Sequence, residues 1–190
     1  INAPYYNRPS AEGVYRHIMA IVEATDLPVM IYDIPGRTGV RITDETLARL
    51  AEHERILAVK DATGDVEQGF RRMEATGLEY YSGDDGLNFA WLAHGASGVV
   101  SVVAHADAHS WREMITEVDA GDLAGARAVA RRIRPLVQAI MGGGQGAVMA
   151  KEALLLQGRI PSAALRLPLV RAEADEVAAL RAVLDASGLL

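Results

Sequence analysis

Lys60 closes the apolar run Ile56-Leu57-Ala58-Val59 and is followed at once by the polar stretch Asp61-Ala62-Thr63-Gly64-Asp65. A short apolar run bounded by turn residues reads as a buried strand, and Asp65-x-x-Gln68 reads as a helix start. A lysine at the end of a buried strand is costly as a cation. Desolvation lowers such an amine by up to about 3–5 pK units, and the neutral form attacks carbonyl carbon. The other reading is a lysine that snorkels, its stem along apolar neighbours and its charge in water. Placement alone does not separate the two.

Tyr32 is the neighbour that bears on the choice. It ends a second apolar run, Leu27 to Tyr32, which closes in the loop Asp33-Ile34-Pro35-Gly36-Arg37-Thr38-Gly39. If both runs are parallel strands joined by a helix, Tyr32 and Lys60 emerge at one carboxyl edge, where ligands bind in open sheets and barrels alike. A phenol beside an amine can carry protons to and from a carbinolamine. A core tyrosine with a satisfied hydroxyl is the alternative.

The elements that would hold these residues alternate with the length of a βα unit. Ser10 can cap a helix to about Ala24, with Val14, Ile18, Ile21 and Val22 as its apolar stripe. A strand at 27–32, a helix opening near Thr43 and Asp44, a strand at 55–60 and a helix from Asp65 to Ala75 stopped by Gly77 follow. Leu78 to Ser82 reads as a third strand, and Asp84 or Asp85 can cap a helix that Gly95 ends. Gly98 to Val103 reads as a fourth strand, and Ile1–Ala3 as a strand stub. Strands alternating with helices imply right-handed βαβ units and a parallel sheet. Beyond residue 106 the pattern is helical, near 107–120, 122–141, 146–157 and 173–187, with a kink possible at Pro135. Four strands cannot close a (β/α)8 barrel, which takes about 250 residues. The choice is therefore between the second half of a barrel and an open, doubly wound sheet.

Composition narrows the function classes. The 190 residues are 50% hydrophobic, enough for a sizeable core, and 19 Lys plus Arg against 25 Asp plus Glu give a net charge of −6. No basic stripe interleaved with aromatics appears, which argues against a nucleic-acid partner. Cysteine is absent, so thiolate and disulfide chemistry are excluded. No apolar stretch approaches the roughly 20 residues of a membrane span, and the expected setting is the cytoplasm. The opening Ile1-Asn2-Ala3-Pro4, without methionine, reads as a fragment or a processed product.

Other signals point elsewhere. His105 and His109 flank Asp107 at a spacing that can bind metal, but no third ligand stands near in sequence, and a solvated helix is expected. The Gly142–Gly146 run lacks the lysine and preceding strand of a P-loop and reads as an interhelical turn. Ile133, Leu136, Val137 and Ile140 form a stripe at helical spacing that reads as core or subunit contact.

Several segments resemble one family closely. They are Ala3-Pro4-Tyr5-Tyr6-Asn7, Ile31-Tyr32-Asp33-Ile34-Pro35-Gly36-Arg37-Thr38-Gly39, Val59-Lys60-Asp61-Ala62-Thr63-Gly64-Asp65 and Tyr81-Ser82-Gly83-Asp84-Asp85. With Gly98-Val99-Val100-Ser101-Val102 and Leu165-Arg166-Leu167-Pro168, in this order, they resemble the C-terminal portion of the dihydrodipicolinate synthases, pyruvate-dependent class I aldolases. The resemblance implies an α/β fold, the C-terminal half of a (β/α)8 TIM barrel with strands 5–8 and a stub of strand 4, followed by C-terminal helices. It implies a partial barrel over 1–106 carrying the lysine, and the last barrel helix with a C-terminal helical region over 107–190.

The resemblance also implies the chemistry. Lys60 forms a Schiff base with pyruvate, Tyr32 relays protons, and Tyr6 reaches across a dimer interface to complete a partner's relay. The pair Tyr5-Tyr6 packing a subunit contact is compatible with that role. Main-chain groups of Gly83 and Val100 face the pyruvate. Arg37 holds the carboxylate of aspartate semialdehyde, since a guanidinium forks onto a carboxylate as lysine cannot. The product would be 4-hydroxy-tetrahydrodipicolinate, for lysine and diaminopimelate biosynthesis, with the covalent imine in place of any cofactor or metal. Self-association as a dimer or tetramer is implied. N-acetylneuraminate lyases and keto-deoxy-sugar-acid aldolases generally lack the Gly36-Arg37-Thr38-Gly39 form, and a non-catalytic half-barrel is the alternative outside enzymology. Asp33 stands where asparagine is commoner and Asp61 where glutamate is commoner. The family's paired threonines have no counterpart here, and Tyr5 is the one candidate contact of its lysine feedback site.

Overall fold

Each of the first long helices begins at a side chain that satisfies its open N–H groups. Ser10 accepts the N–H of Gly13 at the head of α1 (Ala11–Glu23). Beyond β1 (Val29–Asp33) and the short helix α2 (Pro35–Thr38), Thr43 accepts the N–H of Thr46 at the head of α3 (Asp44–Ala51). After β2 (Ile56–Asp61), Asp65 accepts the N–H of Gln68 to start α4 (Val66–Thr76), and Gly77 ends it in the left-handed conformation. β3 (Glu79–Ser82), α5 (Asn88–Ala93) and β4 (Gly98–Val99) complete the first part of the chain. This computed structural model describes residues 1–143 and 145–190, in two units, 1–100 and 101–190.

The four strands form one parallel sheet in the order β1-β2-β3-β4, and Asn2 makes a parallel bridge to Tyr32 on the outer edge of β1. Sheet order thus follows chain order without reversal. A doubly wound sheet reverses at a switch point, so that alternative does not describe these strands. Strand alternation sorts the side chains into two faces. Ile31, Asp33, Val59, Asp61, Tyr80 and Ser82 are buried, whereas Met30, Tyr32, Lys60 and Tyr81 are half-exposed. The buried face joins Val14, Ile18 and Val22 of α1, Leu47 and Leu50 of α3, and Trp91 of α5 in one core.

Several details differ from the sequence expectation. Ile21 is exposed, because the inward stripe of α1 runs through Val14, Ile18 and Val22 alone. The Asp33–Gly39 loop contains α2, with Pro35 at its first turn and Gly39, at φ 75°, closing it. Neither Asp84 nor Asp85 caps α5; Asp84 accepts the N–H of Gly86, Asp85 accepts from the Asn88 side chain, and Leu87 holds the cap position. β4 is two residues, not six. Val100 still donates to Ser82, but Val102 has turned helical and Ser101 Oγ takes the N–H of Ala104, so the chain enters a 3-10 turn at Val103–His105.

The second unit is helical, with α6 (Ala108–Asp119), α7 (Leu123–Met141), α8 (Gly146–Leu156) and α9 (Ala174–Ala186). α7 packs against the other three, burying Ala126, Val129, Ile133, Leu136 and Ile140. It runs on through Pro135, which lies on its exposed side. Gly144, in the glycine run between α7 and α8, lies outside the described residues. Asp107 caps α6 by accepting the N–H of Ser110, and His105 places Nδ1 2.9 Å from the Val102 carbonyl. Among the described residues no three His, Asp or Glu side chains group to hold a metal, and no helix is long and apolar enough to cross a membrane.

Gly69 of α4 supplies a test of the core. The Trp91 ring stacks on Tyr80 at 5.7 Å and meets the Phe70 ring edge-on at 5.2 Å, so it has little room to move. A Cβ at Gly69 would lie 2.2 Å from Trp91 Cη2. Alanine normally favours a helix over glycine by about 1 kcal/mol. Overpacking, at about 1–3 kcal/mol, should reverse that sign, so Gly69→Ala is expected to lower the urea midpoint. A midpoint that rises would show Trp91 yielding without penalty.

Candidate functional site

The ends of β1, β2 and β3 bring three residues abreast. Tyr32 pairs with Lys60, and Lys60 with Tyr81, in the parallel register. Lys60 Nζ sits 3.9 Å from the centroid of the Tyr32 ring. A cation over a phenol face is attracted by the ring quadrupole, and the same contact puts amine and phenol within reach of one small carbonyl compound. Lys60 is half-buried, its stem lying on Gly83. A Cβ there would stand 2.8 Å from Lys60 Cε and 3.0 Å from the Asp61 carbonyl oxygen, so only glycine lets the lysine take this path.

Arg37 joins Tyr32 at a neighbouring pocket. Asn2, Tyr5, Tyr32, Ile34, Arg37 and Thr38 line a cavity of about 210 Å³. The Arg37 side chain is exposed and makes no ion pair among the described residues, which leaves its fork open to an acid. Beneath it the loop is closed by Thr38, whose hydroxyl donates to the carbonyls of Ile34 and Val40. Gly83 lies against the Lys60 stem, while Val100 follows β4, two strands from Lys60. Their N–H groups donate to the carbonyl oxygens of Asp61 and Ser82 respectively.

Tyr6 stands apart. It is 90% exposed, has φ 73°, and does not line the cavity shared by Tyr32 and Arg37. It borders another depression with Tyr5, Asn7 and His17. An aromatic residue held in the left-handed region with its ring in solvent is strained and exposed at once, a combination concentrated at functional contacts.

Behind the strand ends lies a polar cluster. Asp33 follows Tyr32, Asp61 follows Lys60, and the two face each other in register under the helices. Arg72 of α4, 4% exposed, donates from Nη1 to Asp33 Oδ2 at 3.0 Å, from Nη2 to the Ile42 carbonyl at 2.6 Å and from Nε to Asp44 Oδ1 at 2.6 Å. Asp33 Oδ1 accepts the N–H of Ile42. Burial pushes the Asp33 carboxyl above the usual aspartate range, and the Ile42 N–H and Arg72 offset this only partly. Asp61 is likewise raised by burial, against the N–H and hydroxyl of Thr63, and its Oδ2 has no hydrogen-bond partner among the described residues. For Arg72 burial works downward, but the carboxylates of Asp44 and Asp33 outweigh it and hold the guanidinium above its ordinary value.

Arg72 does not stand out in the sequence as part of the site. The available signal was a charge three residues after Gly69, on the turn of α4 that faces the sheet, with the unusual Asp33 as its counterpart.

The profile of the Dihydrodipicolinate synthetase family matches residues 1–187. The chain is 50% identical over 186 residues to the 4-hydroxy-tetrahydrodipicolinate synthase of Kineococcus radiotolerans, covering 98% of this chain and 60% of that protein. It is 46% identical over 187 residues to the synthase of Bifidobacterium animalis, covering 98% of this chain and 62% of the other. The chain therefore spans about three-fifths of the length of these relatives. Among solved structures, the dihydrodipicolinate synthase of Acinetobacter baumannii complexed with pyruvate superposes with a TM-score of 0.94 at 36% identity, over 100% of this chain and 65% of that one.

Asp61 gives the cluster a measurable pH dependence. Its folded value lies above the ordinary 3.8, so the native state holds a proton that the unfolded state has released. Stability from this group is complete below that ordinary value and is lost as pH rises through the folded value. Asp61→Asn removes the titration, with Arg72, Arg41 and Asp33 left as the charges around it. Urea unfolding across the acid range should show a shallower fall in stability with rising pH than in the unsubstituted chain. Identical slopes would mean that Asp61 titrates as it does when unfolded.

Proposed function

Because this chain belongs to the dihydrodipicolinate synthetase family, we propose that it carries the imine-forming machinery of a lyase. The whole protein would join pyruvate to aspartate 4-semialdehyde, giving 4-hydroxy-tetrahydrodipicolinate for lysine and diaminopimelate biosynthesis. The observation that carries the reading is Lys60 Nζ at 3.9 Å from the Tyr32 ring, one strand pair apart. The pyruvate complex of the Acinetobacter baumannii relative supports the choice of first substrate.

In this reading the neutral Lys60 amine attacks C2 of pyruvate, and the carbinolamine loses water to give the imine. Tyr32 carries protons onto the departing oxygen. The imine draws electrons from C3, which loses a proton to become an enamine, so the covalent adduct serves as electron sink without a further cofactor. The enamine carbon attacks the aldehyde carbon of the second substrate, whose carboxylate Arg37 grips in its fork. The substrate amine then attacks the imine carbon and displaces Lys60. Carbonyl oxygens of Gly83 and Val100 border the pyruvate, and exposed Tyr6 is offered to a second copy in a dimer or tetramer.

The monotonic strand order, with Asn2 as the beginning of a further strand, fits strands 5–8 and a stub of strand 4 in a (β/α)8 barrel. Residues 1–106 would form this partial barrel and 107–190 its last helix and a C-terminal helical region. Arg37 favours an acceptor aldehyde that bears a carboxylate over the sugar acceptors of related aldolases.

Borohydride reduction in the presence of pyruvate tests the central step. The adduct should appear on the peptide containing Lys60, and Lys60→Ala should abolish it. Lys151, the other lysine of this chain, donates to the Ala164 carbonyl and is the internal control. Tyr32→Phe is expected to slow trapping by about 10²–10⁴-fold. An adduct on Lys151 with Lys60 untouched would overturn the assignment.

A further inference from the structure

We propose that Arg72 is a positioning residue that sets the place of Arg37, and so governs recognition of the second substrate rather than imine formation. The inference rests on Arg37 as the carboxylate-binding residue, and reaches it through one buried guanidinium.

The segment from Ile34 to Arg41 leaves the sheet at Asp33 and returns to the core at Ile42. Its two ends are fastened to each other and to α4. Asp33 Oδ1 takes the Ile42 N–H at 3.3 Å, while Arg72 donates to Asp33 Oδ2 at 3.0 Å and to the Ile42 carbonyl at 2.6 Å. The third donor, Nε, reaches Asp44 at the start of α3, at 2.6 Å. Asp33, Ile42 and Arg72 are all buried, so these charge-assisted bonds act where water does not compete. Between the pinned ends, the Thr38 hydroxyl bridges the carbonyls of Ile34 and Val40. Arg37 is the exposed side chain that this closed loop presents to the cavity beside Tyr32.

The two sides of the clip are held differently. Tyr32 and Lys60 lie in paired strands, and the Tyr32 N–H also donates to the Ile1 carbonyl at 2.7 Å. The backbone ladder keeps them together whether or not Arg72 is present. The loop lies outside the ladder; Arg72 is the side chain that ties its entry to its exit, and Arg41 adds exposed bonds from the exit to Gln68 and Asp65. Loss of Arg72 should therefore let Arg37 drift while leaving the amine and phenol in place. Lysine is a poor substitute, because a point charge cannot serve three acceptors set around a planar fork.

Steady-state kinetics of the complete gene product carrying Arg72→Lys, which keeps the charge opposite Asp33, supply the test. KM for aspartate semialdehyde should rise at least about tenfold, the weight of a lost bond to a charged group, with KM for pyruvate and borohydride trapping at Lys60 within about twofold. Adding Arg72→Lys to Arg37→Ala should raise KM for the aldehyde no further, since both changes remove one contact. Amide exchange should quicken in 34–42 but not in β1 or β2, a readout independent of turnover. Arg72→Gln, which can still donate to only part of the three-acceptor set, is expected to give the same split and guards against misfolding of the first variant. An unchanged KM for the aldehyde, an equal rise for both substrates, or multiplying effects in the double variant would overturn the role of Arg72. Failure of Arg37→Ala alone to raise KM for the aldehyde, or of pyruvate to trap on Lys60, would overturn the underlying reading and this inference with it.

Discussion

The parallel register of β1 and β2 is the constraint on which the site depends. It sets Tyr32 opposite Lys60, and a slip by one residue would turn either side chain into the helix-covered layer. The register is held from the other face. Ile31, Val59 and Tyr80 occupy the core beneath α1, α3 and α5, so their fit decides where the amine emerges. The same alternation has a consequence at the strand ends. If Tyr32 and Lys60 face outward, the residues after them must face inward, and these are Asp33 and Asp61. Two carboxylates are thereby carried into an apolar layer, where ionised groups are tolerated only when paired or hydrogen-bonded. Arg72 and the Ile42 N–H answer for Asp33, and Thr63 answers for one oxygen of Asp61. The cluster under the site is the counterpart of the chemistry above it.

What could be read from the chain beforehand follows from the range of the forces involved. Ser10, Thr43 and Asp65 announced their helices because a cap bonds to a backbone group three residues on, which is a local event. Gly77 was equally plain, since the left-handed stop is intrinsic to glycine. The Tyr32 and Lys60 strand ends were legible for the same reason. Asp84 and Asp85 look like caps by type, but the turn at 84–87 occupies them with Gly86 and Asn88. The apolar run from Gly98 to Val103 looked like one strand, yet Ser101 diverts it, because a hydroxyl that accepts the Ala104 N–H competes with the ladder. Arg72 left only a faint mark, a charge on the sheet-facing turn of α4, since its partners lie 28 to 39 residues away and depend on tertiary packing.

Two kinds of precision coexist in this unit. Imine chemistry needs an amine and a phenol in fixed relation, and adjacent strands provide it through many backbone hydrogen bonds that no single side chain can undo. In the proposed reaction, recognition of a second substrate needs a guanidinium at a set distance from that pair, and the loop closed by Thr38 and clipped by Arg72 would supply it. The first arrangement is redundant, the second concentrated. Under the proposed reaction, substitutions on α4 would alter which acceptor is held more than how the nucleophile is made, because Arg72 meets the strand pair at the Asp33 side chain and leaves its backbone ladder untouched. A scaffold divided in this way can keep one covalent step and change the partner it is spent on. Asp33 is where the two arrangements meet. Its backbone belongs to the ladder beside Tyr32, and its carboxylate belongs to the clip.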